Sequence, residues 1–137
     1  DREGRIIAPH TLVWTGLRWH VRGWCEKNRD FRDFVLSRFR GLPELLGAAD
    51  HSVSDDHDWM TMIDLVLTPD PRLSPAQQAV IAADYGMENG TLTIPIRARL
   101  VSYLLRLLSI DPGPVKEDPK AQQVVIANRE TIAQWIF

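Results

Sequence analysis

Residues 18–32 read RWHVRGWCEKNRDFR and gather four arginines, one lysine, one histidine, three large aromatics and the single cysteine of the chain. A core needs such aromatics but not the arginines. A solvated face needs the arginines but not the aromatics. A site for a flat, anionic ligand uses both. Guanidinium groups grip phosphate oxygens bidentately and stack on rings, and a neighbouring aromatic offers a base a platform. The candidate cations are Arg18, Arg22, Arg29, Arg32 and Arg38, and the candidate ring contacts are His20 and Trp24. Trp19 shares a strand face with Leu17 and Val21 and is expected in the core. The plainer alternative pairs each arginine with Glu26, Asp30 or Asp33 on a solvated sheet.

Other chemistries are poorly supported. Cys25 and His20 could form a thiol dyad, but five residues apart on an extended segment they point to opposite faces. No catalytic residue is assigned. Asp55-Asp56-His57-Asp58 with His51 could suggest a metal, but an acidic linker explains that run and no second ligand cluster supports it. No metal or cofactor is expected. Nothing resembles a P-loop or a dinucleotide fingerprint.

The 137 residues suit one ordinary domain or two small ones, and 45% apolar residues can build a core. No run nears the roughly 18 apolar residues that span a bilayer. The charged start is no signal peptide, so a cytoplasmic chain without membrane contact is expected. It does not begin with Met, which suggests a fragment. One cysteine excludes an internal disulfide and a cysteine zinc site. Net charge is −2, yet residues 1–41 carry nine Lys/Arg against five Asp/Glu and the remainder seven against thirteen. A basic front and an acidic back suggest two units with different jobs.

The elements that must position these residues follow from pattern. Thr11–Thr15 reads as a strand closed by Gly16. Residues 17–25 alternate, with Arg18, His20 and Arg22 on the available face. Phe31–Phe39 reads as a third strand. Residues 46–58 read as a linker. A strand over 59–67 opens a second unit. Ser74, Pro75 and Gln77 then form a helix start with a capping box, and Gly86 is placed to end that helix. A strand over 91–97 precedes a helix with a Leu100, Leu104, Leu107, Leu108 stripe. A short strand and a last helical turn capped by Asn128 close the order β-α-β-α-β-α. This is an α+β protein, with a small antiparallel sheet or barrel followed by a small α/β sandwich.

Residues 7–42 resemble the WYL domain of bacterial transcriptional regulators. The matching residues are Pro9-His10, Trp19-His20-Val21, Gly23-Trp24-Cys25, and Arg29, Phe31, Arg32, Phe34, Leu36 and Arg38. The tripeptide departs from Trp-Tyr-Leu at His20 and Val21. Residues 66–111 are similar to the C-terminal extension of such regulators, most of all the repressors guarding BREX and CBASS phage-defence islands. The resemblance implies a partial Sm/SH3-like barrel over 1–45 that senses a ligand, a linker over 46–58, and an α+β dimerisation domain over 59–137. It implies a homodimer, with operator DNA bound through a winged helix-turn-helix upstream of Asp1. The expected effector is an anionic nucleotide or short single strand, contacted by His20, Arg22, Trp24, Arg29, Arg32 and Arg38. The alternative is a pure interaction module with no small ligand.

Overall fold

The computed structural model describes residues 4–136. The chain divides into two units, residues 1–60 and 61–137. In the first, β1 (Ile7–Trp14), β2 (Trp19–Cys25) and β3 (Asp30–Val35) form an antiparallel meander in the order β1-β2-β3. Among the described residues this sheet is open. The closed barrel implied by the resemblance is absent from them, since three strands cannot curl far enough to meet. The third strand is also shorter than expected. After Val35 the chain turns into a 3-10 helix over Leu36–Arg38.

Two local features shape the sheet. Pro9 pairs with Gly23 and Thr11 with Arg22, so His10 is the extra residue of a β-bulge. Opposite the bulge the strands nearly touch. A Cβ on Gly23 would sit 2.6 Å from the Ala8 carbonyl oxygen and 2.7 Å from the Pro9 Cα. Only glycine fits there.

Residues 51–60, read from the sequence as linker and the start of the next strand, pack with the first unit. Ser52 begins a 3-10 turn over Val53–Asp55, its amide donating to the Asp55 carboxylate at 2.9 Å. The short helix α1 (His57–Met60) follows, with Trp59 only 4% exposed. The acidic residues that read as linker polarity are here a cap and a buried anion.

The second unit alternates β4 (Met62–Pro69), α2 (Pro75–Asp84), β5 (Leu92–Arg97), α3 (Val101–Leu107), β6 (Val124–Ile126) and α4 (Arg129–Ile136). Its sheet is antiparallel in the order β5-β4-β6. The Ser74 capping box forms as expected: the Gln77 amide donates to Ser74 Oγ at 3.2 Å and the Ser74 amide to Gln77 Oε1 at 3.0 Å. The core joins Leu65 and Leu67 of β4 with Val101 and Leu105 of α3 and Ile132 and Ile136 of α4. The leucine stripe is thus shifted. Val101 and Leu105 are buried, and Leu107 is largely exposed. Asn128 uses its side chain differently from a cap. It accepts from the Val66 amide at 3.0 Å and donates to the Asp64 carbonyl at 2.7 Å, extending the β4–β6 ladder. No helix of the described residues is long and apolar enough to cross a membrane.

Candidate functional site

Alternation along β2 sends His20, Arg22 and Trp24 to one face and Trp19, Val21, Gly23 and Cys25 to the other. The sequence pattern made the first face the available one. The structure buries that face, and on the other only the Trp19 end is open, since Val21 and Cys25 are buried as well. His20 is 3% exposed and Arg22 2%, whereas Trp19 is 49% and Leu17 74% exposed. Trp19 lies in no core; it packs on Trp14 with ring centroids 5.4 Å apart. The cause is the segment 51–60, which lies over the His20–Trp24 face.

Arg22 is the centre of that contact. Its Nε donates to Asp56 Oδ2 at 2.7 Å and its Nη2 to Asp56 Oδ1 at 2.9 Å. Its Nη1 reaches Asp33, its cross-strand neighbour, at 3.4 Å. Both the Arg22 and Asp56 side chains are 2% exposed. A buried charge survives only when paired and hydrogen-bonded. Asp56 also has His10 Nε2 within 2.9 Å and accepts from the Trp59 amide at 3.2 Å. The bulge places His10 here, its other ring nitrogen 2.7 Å from Thr11 Oγ1. Burial pushes the Asp56 carboxyl up, but the hydrogen bonds from Arg22 and His10 outweigh it and hold it below the usual carboxylate range. Burial likewise opposes charge on Arg22, and its bond to Asp56 with the field of Asp33 more than offsets that. The hydroxyl–imidazole–carboxylate chain Thr11–His10–Asp56 resembles a nucleophilic relay on paper. With the His10 side chain 7% exposed and Asp56 spent on Arg22, it acts as a fastener.

His20 lies one pleat along, its Nε2 3.5 Å from Asp33. Burial lowers its pKa from 6.5; Asp33 opposes the shift, and Arg22 and Arg18 reinforce it.

Trp24, at the other end of β2, carries a cluster of rings. His51 stacks on it with centroids 3.9 Å apart and planes 10° apart. Phe31 stands edge-on to Trp24 at 5.3 Å and to His51 at 6.4 Å. The Arg29 guanidinium lies 5.2 Å above the indole centroid, within cation–π range. Trp24 Nε1 and His51 Nδ1 are both buried and find no hydrogen-bond partner among the described residues. Arg29 holds a left-handed backbone, φ 53°, in the β2–β3 turn, where its amide bonds the Cys25 carbonyl at 2.8 Å. Such a conformation disfavours any residue with a Cβ.

Of the six expected contacts, the structure brings Trp24 and Arg29 together and seats His20 and Arg22 under the covering segment. Arg32 pairs with Gly23 and so faces the other side of the sheet, where its Nε binds Asp30 at 2.9 Å. Arg38 follows β3 near the His20 end, since Val35 pairs with His20. That end is four residues from Trp24, about 13 Å along a strand. Arg29 itself holds Glu26 at 2.6 Å. Sequence reasoning missed Trp59, weighed His51 and Asp56 only as a metal set or linker polarity, and placed His10 only in the family motif. One signal was present: an arginine on a half-buried strand demands a carboxylate, and the acidic run 55–58 supplies one.

Residues 62–132 match the family model described as BrxR transcriptional regulator, C-terminal dimerization domain, and residues 1–43 match the WYL domain. Among curated proteins, the chain is similar to the DNA-binding transcriptional repressor CapW of Pseudomonas aeruginosa, 38% identical over 138 residues, covering 99% of this chain and 46% of that protein. The proteins of the same name from Stenotrophomonas maltophilia and Escherichia coli are 34% and 35% identical, each over 96% of this chain and 44% of the relative. The chain therefore spans a little under half the length of these relatives. From the motif in β2 to the sheet and helices of the second unit, it belongs to the BrxR family of transcriptional regulators, a WYL domain followed by the C-terminal dimerization domain.

Proposed function

We propose that the chain is the effector-sensing and dimerising part of a transcriptional repressor that controls phage-defence genes in the cytoplasm. Operator DNA is bound by another part of the polypeptide, the CapW relatives being named DNA-binding transcriptional repressors, and two copies associate through the second unit. The open sheet is the sensing portion of an Sm/SH3-like barrel. The effector is an anionic nucleotide or short single strand. Trp24 and Arg29 touch it directly, while Arg22 clasps the covering segment through Asp56 and His20 lies buried beside Asp33. Arg32 and Arg38 are peripheral cations that raise its local concentration. The ligand acts by linkage: binding one arrangement of the dimer better than the other shifts operator affinity by no more than that difference.

The observation that carries this reading is Arg29 poised above Trp24 in a strained backbone conformation. Strain at a functional position is retained when the side chain is needed there. Titration of the chain with a 5′-phosphorylated tetranucleotide tests it. Saturable binding that weakens steeply with salt, and disappears in Arg29→Gly, is the expected result. A second reading is a pure interaction module, favoured by the carboxylates held by Arg22, Arg29 and Arg32 and by the exposed Leu12, Trp14 and Trp19 on the opposite face. No nucleotide binding, with oligomer loss on Trp14→Ser, would select it.

A further inference from the structure

The outer face of Trp24 is a seat for one planar ring, and His51 sits in it. We infer that His51 is a displaceable occupant, and that a nucleotide base takes its place on the indole, with its phosphate toward Arg29; the inference rests on the effector reading above. Four observations converge. The His51 and Trp24 rings lie 3.9 Å apart and 10° from parallel, the geometry a stacked base adopts. Phe31 forms a wall edge-on to both rings. Arg29 brings a cation to the same indole. The stack leaves Trp24 Nε1 and His51 Nδ1 buried without partners, so the resident ring fills the seat without satisfying it. Release of His51 to solvent would let its buried, unmet Nδ1 find a water partner, and that relief favours the exchange.

His51 also begins the covering segment. It lies two residues before the 3-10 turn over Val53–Asp55 and five before Asp56. Lifting it frees the first part of that segment, while Asp56 stays clasped by Arg22. The site is closed in the resting protein and opens with its ligand, as a cryptic pocket does.

Three proteins and two ligands test this. The native chain, His51→Ala and His51→Phe are titrated with adenosine 5′-monophosphate and with the 5′-phosphorylated tetranucleotide, and hydrogen exchange is followed with and without ligand. His51→Ala bares the seat, so its affinity rises by about twofold to tenfold, the range of one aromatic stack. His51→Phe keeps a ring there and binds no tighter than native. Ligand speeds exchange of the Ser52–Asp55 amides in the native chain and leaves Trp59 protected. Binding of the monophosphate marks a free nucleotide as the source; binding of the tetranucleotide alone marks a strand end. If native protein binds but His51→Ala binds equally or more weakly, or the 52–55 amides do not respond, His51 is no occupant and the effector reading stands. If neither native chain nor His51→Ala binds either ligand, the effector reading itself fails.

Discussion

Asp56→Ala removes a carboxylate on which β1, β2 and α1 of the first unit converge. Its loss strands the Arg22 Nε and Nη2 donors, the His10 ring and the Trp59 amide, all on groups that are nearly inaccessible to water. Removing one partner of a buried ion pair costs about 3–5 kcal/mol. A unit of 60 residues has a total stability of about 3–9 kcal/mol at typical values per residue. The substitution is therefore expected to consume most of the first unit's stability. Urea unfolding followed by tryptophan emission reads this unit selectively, because Trp14, Trp19, Trp24 and Trp59 lie in it and only Trp135 lies outside. Arg22→Ala should cost as much. The double variant Arg22→Met/Asp56→Leu should recover to within about 1 kcal/mol of native, since apolar replacement of both partners removes the stranded charge. A coupling above about 2 kcal/mol across the cycle of Arg22→Met, Asp56→Leu and their double variant is the expected signature. A loss below about 1 kcal/mol for Asp56→Ala, or additivity across the cycle, would refute the buried latch.

Gly23→Ala forces a Cβ against backbone atoms of β1 that no rotamer change can move; a loss of about 1–3 kcal/mol is expected in the same urea assay. Arg29→Gly relieves a left-handed arginine and gives up a pair with Glu26 that is 66% and 41% exposed, worth little. Its stability should stay within about 1 kcal/mol of native, while tetranucleotide binding disappears. His20 has its pKa lowered by burial despite Asp33, so the unfolded chain takes up that proton at a higher pH than the folded one. Stability then declines as pH falls below about 6.5 and levels off once the folded protein is protonated too. His20→Gln should flatten that limb of the pH–stability curve. Asp56, held low, loses its contribution only in the more acidic range below about 3.9.

Local signals predicted the second unit well and the first unit's face poorly, for a physical reason. Ser74, Pro75 and Gln77 specify a helix start through bonds within four residues, and the structure forms them. Alternation along β2 likewise gave the two sets of side chains. Which set is covered depends on a segment some thirty residues away. Polarity suggested that Arg22 faces water, but a carboxylate at Asp56 makes its burial tolerable. The exposure of Trp19 shows the same limit from the other side: a hydrophobic residue says only that it could be buried. Trp24 and Arg29 were found because aromatic and cation adjoin in sequence. The stacking of His51 was missed, and the residue weighed only for metal, because stacking leaves no periodic trace in a polar stretch.

The two fastenings of the covering segment differ in strength, and that order decides how the segment opens. At Asp56 the latch combines a bidentate guanidinium, a histidine and a backbone amide, and breaking it strands charge in a dry place. At His51 the hold is one ring stack, worth about 0.5–1.5 kcal/mol, and it leaves two ring nitrogens unpaired. Local opening starts where the free energy is lowest. The segment should therefore peel from His51 toward Asp56 and stop there. A ligand on Trp24 need only overcome the weaker hold, while the stronger one keeps Trp59 and α1 seated against the sheet. Reversing the order, by weakening the latch with Asp56→Asn while strengthening the stack with His51→Trp, should make opening begin at Trp59. Hydrogen exchange would then show the α1 amides faster than those of 52–55. If 52–55 still exchanged first, relative bond strength would not be what directs the opening.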